Sequence, residues 1–160
     1  MFQKQVETAQ ALGVAGHIAQ GRGSYFNTIS GICADDKVEI GYFVQRGDNE
    51  GEFKGVKGST VTNTKVAGVA IFDNFQSANG DSAVKARGAN VTVLNEGSVF
   101  IEAQVVAKAG QFVGVKNTDG SLIFSDTSTI ASGVFTGFVV VKGNGEAKRG
   151  VIEISTAGAR

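Results

Sequence analysis

Apolar residues in this chain alternate with polar ones at a period of two, and the alternating runs are bounded by glycine, with no proline in 160 residues. In residues 38–45 (Val-Glu-Ile-Gly-Tyr-Phe-Val-Gln) the even positions are apolar, so an extended strand packs one face and leaves the other largely to water or a partner. The same rhythm returns at 99–106 and 151–155. Only residues 6–18 admit a helical period, and Gly13 and Gly16 each cost about 1 kcal/mol relative to alanine inside a helix. The pattern predicts an all-β chain: a single compact β-barrel or a jelly-roll-like sandwich of about ten short strands, preceded by an extended N-terminal arm.

Strands are expected at about 24–33, 38–46, 52–57, 64–72, 82–87, 90–95, 98–108, 111–116, 121–125, 134–142 and 148–155. Between them, 48–51, 79–81, 95–97, 117–120 and 143–145 carry the Asn, Asp and Gly residues that tolerate turn conformations, and several of these turns read as tight hairpins. The clearest is 111–116 turning through 117–120 into 121–124. A barrel and a sandwich both limit exposed edges, and the alternation serves either. The polar stretches 73–81 and 125–132 read as surface loops, and no repeat of fixed period is present.

A length of 160 residues fits one domain, and 42% hydrophobic content with 11 phenylalanines supplies a real core. The reading divides the chain into an arm, 1–23, and a β domain, 24–160. Fifteen basic residues balance fifteen acidic ones, which removes the electrostatic footprint of a phosphate-binding protein, so no nucleic-acid partner is expected. No apolar run approaches a membrane span, and the acidic Glu7 interrupts anything resembling a signal peptide. A single cysteine rules out an intramolecular disulfide and suits a reducing cytosol.

Reactive side chains are scarce. His17 is the only histidine, and one imidazole cannot build a metal site or carry much acid–base chemistry. Cys33 stands beside Asp35 and Asp36, whose charge opposes thiolate formation, so it reads as a small core residue. Asp35-Asp36 reads as a solvated turn before Lys37. Gly21-Arg22-Gly23 lacks the flanking strand and helix of a phosphate loop and reads as a hinge. Asp119-Gly120-Ser121 and Asp126-Thr127-Ser128 read as turns. No catalytic, metal-binding or cofactor-binding residue is assigned, and no cofactor is expected. Carbohydrate binding is disfavoured by the absence of tryptophan and by only two tyrosines, with the phenylalanines at strand positions that core packing explains.

Met1-Phe2-Gln3-Lys4-Gln5-Val6, followed by Leu12-Gly13-Val14-Ala15-Gly16-His17-Ile18-Ala19, resembles the start of the structural cement proteins of tailed bacteriophages. Val38 to Val44 is similar to that family's first core strand and Val66 to Phe72 to the next, and the likeness continues through Val91 to Ile101 and Val113 to Gly120. The resemblance implies a small β protein that binds the outside of a capsid, bridges neighbouring major capsid subunits and stabilises the expanded shell. It brings no enzymatic residues. The implied partners are the major capsid protein and further copies of the chain, as a dimer or trimer. The implied location is the capsid exterior of a virion, after synthesis in a bacterial cytoplasm.

The arm carries the expected contacts. Phe2, Val6, Leu12, Val14 and Ile18, with Lys4 among them, are too sparse to form a core and too apolar for a solvated tail, so they are assigned to a capsid or subunit contact. The alternative is a carbohydrate- or receptor-binding β-sandwich on a virion. Aromatic exposure separates the two, since a sugar platform must stay open.

Overall fold

In the computed structural model, residues 13–19, 25–62, 66–72, 84–145 and 150–156 are described. They contain twelve strands: β1 Asn27–Cys33, β2 Val38–Glu39, β3 Phe43–Arg46, β4 Glu52–Gly55, β5 Val66–Ile71, β6 Val84–Lys85, β7 Asn90–Glu96, β8 Ser98–Ala103, β9 Phe112–Lys116, β10 Leu122–Ser125, β11 Gly133–Lys142 and β12 Gly150–Ser155. The all-β expectation holds, and both candidate architectures are present in part. Strands β1-β4-β3-β5-β7 close into a barrel, and a five-stranded sheet, β10-β9-β11-β12-β8, packs against it. A two-stranded ribbon of β2 and β6 completes the topology.

Every barrel pairing is antiparallel except β1 with β4, where Ile32 lies opposite Glu52 and Cys33 opposite Phe53. The expected hairpins at 48–51 and 117–120 form, joining β3 to β4 and β9 to β10. The turn at 95–97 does something different. Gly97 carries the chain from β7 in the barrel to β8 in the second sheet, and the corner is pinned by Gly97 N–H donating to Thr156 Oγ1 at 2.8 Å.

Two hydrophobic clusters follow from this stacking. Cys33, Val38, Ile40, Val44, Phe53, Ala70, Val91 and Val93 fill the barrel. Phe43, Val69, Ile71 and Leu94 point out of the same wall and meet Val99, Ile101, Val113, Phe138, Ile152 and Ile154 of the second sheet. The Phe43 and Phe138 rings sit edge to face at 5.6 Å.

This doubled core corrects the reading of 38–46 as one strand with a single packed face. Phe43 and Val44 are both buried, one toward each cluster, because β3 has apolar layers on both sides. Gln45, also buried, is satisfied by its Nε2 donating to Gly55 O at 3.3 Å and Thr60 O at 3.2 Å. The strand is moreover broken: Gly41, at φ 80°, bends the chain between β2 and β3 in a conformation that favours glycine. Similarly, the run expected over 98–108 ends at Ala103. The second face of β12 is not left to water either. Glu153, in register between Lys142 of β11 and Phe100 of β8, is buried.

Candidate functional site

The barrel and the second sheet part at one margin, and a cleft of about 630 Å³ opens there. Its walls come from six stretches of sequence, one of them Lys57 and Gly58 after β4. The Gly41 bend presents Ile40 and Tyr42; Val14 and Ala15 line another side; Phe72 follows β5; Gln104 and Val105 follow β8; and Asp119, Ser121 and Leu122 come from the β9–β10 hairpin. Val14, Phe72 and Val105 are exposed, at 56%, 39% and 46%, so apolar surface faces outward around the opening. Glu39, Glu102 and Asp119 against Lys57 and Lys116 give the lining an excess of one negative charge.

Residues 13–19 are held between the layers by backbone hydrogen bonds. Gly16 N–H donates to Phe100 O at 2.8 Å, Phe100 N–H to His17 O at 3.0 Å, and Ala19 N–H to Ser98 O at 2.9 Å, which covers the edge of β8. On the barrel side Phe72 N–H donates to Gly16 O at 3.1 Å. Ala15 packs directly on Gly41, where a methyl group would overlap it. This short stretch therefore ties sheet to barrel along the seam.

Tyr42 ties the opposite wall. Its hydroxyl donates to Gly120 O at 2.8 Å, joining the barrel to the β9–β10 hairpin. Gly120 has φ 68° and presses against the Val56 carbonyl, a close approach that excludes any side chain. The same turn accepts hydrogen bonds from Gly58 N–H at Asp119 O, 2.7 Å, and from Val61 N–H at Asn117 O, 2.8 Å. Burial pushes the Tyr42 phenol up to about 12, the charges of Glu39 and Asp119 add to this, and the Leu122 amide opposes it. Lys57 pairs with Glu39 at 2.9 Å and lies 5.5 Å from the Tyr42 ring centroid.

Of the six arm residues assigned to contacts, Phe2, Lys4, Val6 and Leu12 lie outside the described residues. Val14 stands on the cleft wall, largely exposed. Ile18 is half-buried against the chain's own interlayer core and bridges to Val99. The hinge at 21–23 and the loop at 73–81 also lie outside the described residues. The loop after β10 is mostly exposed, but its Ile130 is buried against Gly114 and Gly133.

The other singled-out residues act locally. His17 is exposed and meets Phe72 edge to face at 5.0 Å. Cys33 is 1% exposed inside the barrel, where burial pushes its thiol up, Lys85 opposes the shift and Asp35 adds to it. Asp35 Oδ1 accepts from Lys37 N–H at 3.0 Å and Gly55 N–H at 3.2 Å, and Asp36 Oδ1 accepts from Arg87 N–H at 2.7 Å, so this pair braces turns. Asp119 Oδ1 accepts from the amide and hydroxyl of Ser121, bonds that hold its carboxyl below the usual range. Among the described residues no cluster of three or more His, Cys, Asp or Glu could hold a metal ion, and no helix is long and apolar enough to cross a membrane. Phe43, Phe53 and Phe138 are buried, while Tyr25 and Phe26 protrude at the Gly97 corner, 71% and 50% exposed.

No curated protein matches the chain. A chain from the structure "The capsid of Myoviridae Phage XM1" shares its fold, with a TM-score of 0.65 and 17% identity over 97% of this chain and 96% of that one. The model of the structural cement protein family (E217 gp24/Pam3 gp6) matches residues 2–157, and the chain belongs to that family of capsid-associated phage structural proteins.

Proposed function

We propose that the protein binds the outer surface of a phage capsid as a homo-oligomer, bridging neighbouring major capsid subunits and stabilising the shell after its synthesis in the bacterial cytoplasm. The family match over 2–157 carries this reading. The build supports it: a body with a doubled apolar core resists deformation, and a cleft with an apolar margin at the arm offers a place to grip. Many modest contacts repeated over one lattice add up to firm attachment. The outer arm residues Phe2, Lys4, Val6 and Leu12, with Val14, supply contacts beyond the chain's own body, and Tyr25 and Phe26 extend the contact surface.

The test is shell binding by a chain lacking residues 2–12, which spares the stretch that ties the seam. It should keep its β circular dichroism, decorate shells of the cognate capsid protein less fully and raise their rupture temperature less. Unchanged decoration and protection would remove the arm from the reading.

A further inference from the structure

We propose that the cleft receives residues 1–12 from a second copy of the chain, so that copies are joined by exchanged arms. This rests on the reading that the arm makes contacts outside its own body, and it names their site. Twelve residues, fully extended, reach about 40 Å.

Gly13 lies against the Phe100 ring, and Val14 and Ala15 are themselves part of the cleft wall, so the chain's own residues 13–15 are spent on building the cleft. A neighbour's arm can approach from the open side.

The chemistry matches on two counts. An extended 1–7 segment would set Phe2, Lys4 and Val6 on one side, because alternate side chains share a face, and Glu7 on the other. That face is apolar, basic, apolar. The cleft offers Phe72, Val105 and Leu122 as apolar wall and three carboxylates against two ammonium groups. The exposure of Phe72 and Val105 is what such an occupant would cover.

The experiment uses full-length protein in a Cys33→Ala background, which removes the only native thiol. One preparation carries Gln3→Cys and another Val105→Cys; they are mixed, free and on shells, and treated with a short bismaleimide. The expected result is a mixed cross-linked dimer several-fold above the products of either preparation alone, with its yield reduced by Lys4→Glu. A chain carrying both cysteines should link between copies. A link only within one chain, at monomer mobility, overturns the exchange, as does no link in either setting. If no link forms yet deletion of 2–12 still weakens shell decoration, the pairing fails and the capsid role stands. If the link forms but the deletion leaves decoration unchanged, the exchange stands and the arm's role on the shell fails.

Discussion

The interlayer core and the cleft margin join the same two layers by opposite means. In the core, Phe43, Val69 and Leu94 meet Phe138, Ile101 and Ile154 through apolar contact alone, and each of these residues is at most 1% exposed. At the margin the layers are joined by directional bonds, Tyr42 to Gly120 and Gly16 to Phe100 and Phe72, around open apolar surface. Apolar burial is strong and indifferent to orientation, whereas a hydrogen bond contributes about 1 kcal/mol and fixes geometry. The contrast assigns stability to the middle and shape to the edge.

The sharpest way to break that contrast is Phe138→Ala. It removes the ring that packs on Phe43 and leaves a cavity between layers, which costs about 3–5 kcal/mol. Chemical denaturation should show the whole chain unfolding earlier as one unit. Loss of the second sheet while the barrel persists would show two independent units instead.

The two regions were unequally legible in the sequence. The β9–β10 hairpin could be read because its turn chemistry and its alternation are both local: Asn117 to Gly120 reverses the chain, and Leu122 lies opposite Val115. The choice between barrel and sandwich was not local. Closure depends on β1 meeting β7 and, in parallel, β4, pairings between distant segments that leave no mark on either strand's period. The doubled core did leave a trace, in adjacent apolar pairs such as Phe43-Val44 and Val93-Leu94, where a strand with one wet face would alternate. The cleft was least legible, because six segments that each read as a turn, a strand end or arm come together only in space. Its sequence signal was Val14, the apolar arm residue assigned to an outside contact, whereas Val105 read as one more apolar position of the 99–106 alternation and is exposed.

Tyr42→Phe sharpens the comparison on the margin side. The substitution keeps the ring and loses the hydroxyl that donates to Gly120, at a cost of about 1 kcal/mol at neutral pH. It should also change the pH profile. Below its ordinary value of 10.0 the phenol is protonated in folded and unfolded chains alike; between 10.0 and about 12 the unfolded chain releases its proton first, so stability falls as pH rises. The phenylalanine variant should lack that part of the alkaline decline. Parallel stability–pH curves for the two proteins would mean that burial does not hold the phenol protonated in the folded chain.

Lys57→Met should have the smallest effect on folding, for reasons that separate margin from core once more. Its Nζ pairs with Glu39 and lies near the Tyr42 ring, but the side chain is 55% exposed, so water competes for the charge and salt screens it. Exposed pairs of this kind contribute about 0–1 kcal/mol, and methionine retains most of the apolar stem. Thermal unfolding should shift only slightly at low salt and less at high salt. The same substitution makes the cleft lining more negative, so it should favour a basic segment there and raise the yield of the arm-to-cleft cross-link. A loss of stability comparable to that of Phe138→Ala would show that the margin bears structural load and end the division drawn between the two regions.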